Sequence, residues 1–142
     1  MKELLNEIYN KAQQYGQCGL LRGNESLSEL VDLIFTPQGI EFMITHDFPD
    51  LDTLRKFKEY HPERYGLYID GGDIDLTETR RIFLIGDTAA NLNYRETAAN
   101  RVYLMHGAKA RINAAGYAVV RVETDPTSEV STVIAEHGKI LI

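Results

Sequence analysis

Residues 81–93, RIFLIGDTAANLN, and residues 101–113, RVYLMHGAKARIN, align without a gap. Arg81/Arg101, Leu84/Leu104, Ala90/Ala110 and Asn93/Asn113 are identical. Ile82/Val102, Phe83/Tyr103, Ile85/Met105 and Leu92/Ile112 are conservative, so eight of thirteen positions agree. A fainter third copy opens at Arg121-Val122 and puts Val130 where Ala90 and Ala110 lead. The glycines fall out of step, Gly86 and Gly107 differing by one position. A period of about twenty residues constrains the fold more than any other feature. Each copy is one small unit that cannot bury its apolar side alone, so copies must stack and like residues must lie over like.

From Gly66 onward the sequence breaks into short β-rich runs between Gly, Asn, Asp and Thr: GLYID, DIDL, RIFLIG, AANLNY, RVYLMHG, AKARINA, YAVVRVE, EVSTVIAE and GKILI. In its repeat this segment resembles β-solenoid proteins over roughly residues 73–142. The resemblance brings no family whose functional residues transfer to this chain. It implies an inner row through Ala90, Leu92, Ala110 and Ile112, with Asn91, Asn93, Arg111 and Asn113 pointing outward. IFLI and VYLM are apolar at consecutive positions, so both faces of those strands are expected to be covered. There is room for about three coils, with the helices and GLYIDGGD capping the first. The competing arrangement is an antiparallel meander or sandwich whose similar hairpins mimic a repeat.

The first half has a different texture. Leu4, Leu5, Ile8, Tyr9, Ala12 and Tyr15 form a helical stripe that ends at Gly16. Ser26 and Glu29 in SLSE form a capping box ahead of Leu27, Leu30, Val31, Ile34 and Phe35. Thr36-Pro37 restarts a helix that Phe48-Pro49 breaks, and Asp50 or Asp52 starts a last one through Leu51, Leu54 and Phe57. Single apolar stripes need a surface to lie on. The expected fold class is therefore α+β, with short N-terminal helices packed on a short C-terminal β-solenoid. It is read as a single domain over 1–142, with a helical subregion 1–62 and a β-repeat subregion 66–142.

Charge narrows the partners. The net charge is −6. Residues 1–80 carry 8 Lys/Arg against 15 Asp/Glu, and residues 81–142 carry 7 against 6. An acidic half beside a near-neutral half repels phosphate backbones, so nucleic acid is not an expected partner. No run approaches the ~20 apolar residues of a membrane helix. MKELLNEIYNKAQQYG lacks the apolar core of a signal peptide, so no membrane partner and a cytoplasmic location are expected. Cys18 is the single cysteine, which excludes an internal disulfide.

Candidate chemistry is sparse. Asp70, Asp73 and Asp75 lie beside two glycines in DGGDID, a set of hard oxygen ligands that suits Ca²⁺, although neither EF-hand nor nonapeptide spacing is present. Otherwise no cofactor is expected. His46, His61, His106 and His137 show no metal-ligand spacing, though His106-Gly107 and His137-Gly138 both end strands and a shared register would bring them to one side. Cys18 is a nucleophile only if a distant histidine meets it. Nucleophile-elbow, phosphate-loop and dinucleotide motifs are absent. Tyr60, Tyr65, Tyr68, Tyr94, Tyr103 and Tyr117 supply contact area, and Tyr117 joins Ile140, Leu141 and Ile142 as expected interface residues. The sequence ends on GKILI, whose apolar residues call for cover from the helices or from another subunit. The reading is a non-catalytic interaction or scaffold protein that self-associates as a homodimer or larger assembly, with another protein as a further partner. The alternative is a small carbohydrate-binding or hydrolytic protein using the Asp cluster, with or without Ca²⁺.

Overall fold

The computed structural model describes residues 1–17 and 19–142, so the reading of Cys18 as a nucleophile falls outside the described residues. The chain divides into two compact units, Met1–Tyr65 and Gly66–Ile142.

The first unit holds the helices, and their ends are set by short polar side chains. Helix α1 spans Lys2–Gln14 and buries Leu4, Leu5, Ile8 and Ala12. Helix α2, Leu27–Ile34, begins at the capping box: Ser26 Oγ accepts from the Glu29 amide at 3.2 Å while Glu29 Oε1 accepts from the Ser26 amide at 3.0 Å. Helix α3, Pro37–His46, starts at Thr36, whose Oγ1 accepts from the Gly39 amide, and stops at Asp47 in the left-handed conformation. Helix α4, Leu51–Arg55, is capped by Asp50 accepting from the Thr53 amide at 2.8 Å. It ends short of Phe57 because the amides of Lys56 and Phe57 bond three residues back, tightening the chain toward the 3₁₀ turns at Lys58–Tyr60 and Pro62–Tyr65. Phe57 is buried all the same.

The second unit is a β-solenoid of about four coils. Strands β1 (Leu67–Ile69), β3 (Arg81–Ile85), β5 (Ala99–Met105), β7 (Val119–Thr124) and β9 (Lys139–Leu141) form one parallel sheet. Strands β2 (Gly72–Thr77), β4 (Thr88–Tyr94), β6 (Lys109–Ala114) and β8 (Glu129–Ile134) form the other. Every pairing is parallel, which removes the meander. Arg81 pairs with Arg101 and Arg101 with Arg121, while Ala90 pairs with Ala110 and Ala110 with Val130. The twenty-residue repeat is thus the coil length, and the third copy is real.

The core lies between the sheets. Ala90, Leu92, Ala110 and Ile112 face it from one side and Ile82, Leu84, Val102 and Leu104 from the other. Asn91, Asn93, Arg111 and Asn113 alternate with the inward residues, so they face outward. Amides in this outer set hydrogen-bond from coil to coil: Asn113 Nδ2 donates to Asn91 Oδ1 and Asn93 Oδ1 at 3.0 Å, and Asn93 Nδ2 donates to Asp75 Oδ1 at 3.0 Å. Phe83, Ile85, Tyr103 and Met105, on the outer face of the other sheet, are buried as their unbroken apolar pattern requires, and Phe83 meets Tyr103 edge-on.

Two expectations are corrected. GLYIDGGD does not cap the first coil; it belongs to it, as β1 and the start of β2, so the count is about four coils and not three. Leu67 pairs with Phe83 and Gly72 with Thr88, an offset of sixteen residues. The difference lies at one corner, where Thr77 to Arg81 makes in four residues the passage that Asn93 to Arg101 makes in eight. Tyr94, fully buried at this corner, donates its hydroxyl to the Thr79 carbonyl at 2.9 Å. Burial, then the nearby Glu78 carboxylate, push its phenol well above the usual range.

Candidate functional site

The corners that join the sheets are built by carboxylates bonded to backbone amides of the neighbouring coil. At the corner after β1, β3 and β5, Asp70, Gly86 and His106 share one column and all take left-handed conformations, with φ of 52°, 68° and 60°. This explains why the glycines did not register: Gly86 aligns with His106. Asp70 Oδ1 accepts from the Asp87 amide at 2.9 Å. One coil further, Pro126 occupies the column, where its ring forbids positive φ. Asp125 takes over, accepting from the His106 amide at 2.9 Å, the Thr127 and Ser128 amides, and both their hydroxyls. Burial pushes this carboxyl up, but the His106 amide and the Ser128 and Thr127 hydroxyls outweigh it and hold it below the usual carboxylate range.

At the opposite corner Glu78 accepts from the amides of Arg95 and Glu96. Its partial burial raises its pKa, but those amides and the neighbouring Arg80 lower it further, leaving a net depression. Glu136 accepts from the Gly116 amide and from the Arg95 guanidinium at 2.7 Å. In the helical unit Glu25 has the same job, accepting from the amides of Arg22, Gly23 and Asn24. Burial alone raises its pKa; these amides, together with the amide of Glu25 itself, reverse the sign.

The predicted site residues separate under this geometry. Asp70 is bonded within the corner. Asp73 and Asp75 project from the outer face of β2, where Asp75 takes the Asn93 amide. Among the described residues, no group of three side chains at metal-ligand distance includes any of the three. His106 and His137 do not share a side, because one follows β5 and the other precedes β9, at opposite corners. His137 stacks on Tyr117 with ring centroids 4.6 Å apart and planes 9° apart. His46 stacks on Tyr15, and His61 lies 3.4 Å from Glu63. Tyr94 and Tyr103 are core residues, whereas Tyr117 is exposed. In the helical unit an apolar cavity of about 50 Å³ is lined by Ile8, Leu30, Met43, Phe48 and Leu54 among others, and among the described residues no polar group opens into it to orient a ligand.

The last coil departs from the others. The rows that are sealed below it stay open: Tyr94 and Ala114 are buried, but Ile134 in the same row is 54% exposed. Ile142 follows in the row of Val102 and Val122 and is 78% exposed. The outward rows change chemistry at the same place. Asn93 and Asn113 give way to Val133, and Arg81, Arg101 and Arg121 give way to Leu141. Val133 and Leu141 are 44% and 53% exposed. Strands β8 and β9 each have a neighbour on one side only. Ile134, Val133, Leu141 and Ile142, with the half-buried Val130 and Ile140, make this end an apolar surface ringed by unpaired backbone groups. Sequence reasoning named Ile140, Leu141 and Ile142 but missed Val133 and Ile134. Extending the repeat alignment one more period would have shown Asn-to-Val and Arg-to-Leu replacements.

The class is thereby defined: an α+β chain whose second half is a parallel, two-sheet β-solenoid with an open apolar end. No protein-family model, curated protein or solved structure matches it. Among the described residues no helix is long and apolar enough to cross a membrane.

Proposed function

We propose that the protein is a non-catalytic interaction protein that associates with further copies of itself through the last coil of its solenoid. One observation carries the reading: outward positions that are polar in the preceding coils become Val133 and Leu141 in the coil where Ile134 and Ile142 are left exposed. Exposed strand edges in stable proteins are normally protected by Lys, Pro, a bulge or a covering element. Strand β8, EVSTVI, carries neither Lys nor Pro. The polar groups that suggest chemistry support the same reading, since Asp70, Asp125, Glu78 and Glu136 are engaged as acceptors for corner amides.

The test is sedimentation velocity over a hundredfold concentration range, for the wild type and for Ile134→Lys. Self-association predicts a concentration-dependent rise in mass in the wild type that the substitution abolishes, with circular dichroism unchanged. A wild type that stays monomeric throughout removes the proposal.

A further inference from the structure

The open end offers more than a sticky patch, because its residues complement themselves. We propose, building on the self-association reading, that two copies join end to end about a two-fold axis perpendicular to the sheets, with β8 antiparallel to β8 and β9 antiparallel to β9. Such an axis reverses both the strand direction and the solenoid direction, and it returns each sheet to its own plane. Both sheets therefore run on into the second copy.

Register follows from side-chain parity. In an antiparallel pair, residues directly opposite each other point to the same face. Inward residues meet inward residues when β8 pairs about Thr132. Val130 then faces Ile134 of the second copy, Thr132 faces itself, and on the outer face Ser131 meets Val133. Across the solenoid, Thr132 and Leu141 lie equally far along the chain from the middle of the corner formed by residues 135–138, so the two positions stand at a similar level along their strands and one axis passes close to both. In the other sheet Leu141 therefore meets itself outside, and Ile140 meets Ile142 inside. One axis thus buries Val130, Ile134, Ile140 and Ile142 between the copies, covers Val133 and Leu141, and sets Glu129 opposite Ala135 and not opposite another acid. Each apolar residue peculiar to the last coil acquires a partner.

Head-to-tail stacking does not do this. Continuing the column Asp73, Ala89, Lys109, Glu129 would set Asp73 of the next copy directly over Glu129, two like charges in register. In the other sheet, β9 stands in the columns of residues 99–101 and 119–121, whereas β1 stands in those of 83–85 and 103–105. The two strands would not meet.

Disulfide trapping tests the axis in a Cys18→Ser background. Residues facing each other across antiparallel strands have Cα atoms about 4.5–5.5 Å apart, within the ~4.4–6.8 Å that a disulfide spans. Thr132→Cys, and separately Leu141→Cys, should each give a covalent dimer under mild oxidation. Ser131→Cys, displaced to either side of the axis by one residue, should give at least tenfold less. Leu141→Cys, at an exposed position, keeps the test open if Thr132→Cys does not fold. A dimer by sedimentation in which Ser131→Cys links as well as Thr132→Cys and Leu141→Cys overturns the two-fold register and leaves self-association standing. A monomer at every concentration removes both.

Discussion

The interior row of one sheet supplies a matched pair of perturbations. Ile112 on β6 and Ile134 on β8 both face the core, but Ile112 is fully buried and Ile134 is 54% exposed. Truncation to Ala removes the same three side-chain carbons at each site. At Ile112 the lost transfer free energy is about 2.4 kcal/mol at ~0.8 kcal/mol per carbon. The pairings of Ile112 with Leu92 below and Thr132 above fix its neighbours through the strand ladders, so the hole stays largely open. A cavity of about 50 Å³ at ~24 cal/mol per Å³ adds roughly 1 kcal/mol, for a total of about 3–4 kcal/mol. At Ile134 only about half of the transfer term applies and no closed cavity forms, leaving about 1 kcal/mol in the monomer. Urea unfolding followed by circular dichroism, at a concentration where the protein sediments as a monomer, gives both values. Equal costs, or an Ile112→Ala cost below about 1 kcal/mol, would refute the stacked interior. Raising the concentration should increase the Ile134→Ala cost and leave that of Ile112→Ala unchanged.

Other outcomes follow from the corners and caps. The folded-state pKa values of Asp125, Glu78 and Glu25 lie below their ordinary values, so the stability they contribute is present above about pH 4 and is lost as pH falls through the folded-state values. Acid titration of the melting temperature should show that loss, and Asp125→Asn, costing about 1–3 kcal/mol at pH 7, should converge on the wild type once the pH has fallen below the folded-state pKa of Asp125. Asp70→Ala should cost about 1 kcal/mol through the lost Asp87 amide bond, equally in calcium and in EDTA; a cost that appears only with calcium would show a metal role instead. Ser26→Ala, which removes one half of the capping box, should destabilise α2 by about 1 kcal/mol, read from amide exchange in residues 27–31.

What the sequence disclosed depends on whether the determinant is local. Helix starts were legible because a cap is a side chain within three residues of the amide it satisfies, as at Ser26, Thr36 and Asp50. The coil register was legible because residues stacked in a row share one environment, so Leu84 and Leu104 had to match. The first coil was hidden by its shorter corner, which put Leu67 sixteen residues from its neighbour and out of phase with the repeat. The column of Asp70, Gly86 and His106 was hidden for a different reason: three unlike residues satisfy one left-handed backbone position. The bonds that staple one coil to the next, from Glu78 to the Arg95 amide and from Asp125 to the His106 amide, leave no signature, because main-chain amides seventeen and nineteen residues away can be supplied by any residue. At the open end the terminal apolar residues stood out. Val133 and Ile134 did not, since in a strand whose interior is sealed they would read as ordinary β residues.

The stacking itself is most directly measured by nuclear Overhauser contacts between backbone protons of the second unit. The register predicts cross-strand contacts that join Ala90 to Ala110, Leu92 to Ile112 and Ala110 to Val130, in the pattern of parallel strands. Contacts in an antiparallel pattern, with Ala90 remote from Ala110, would contradict the account.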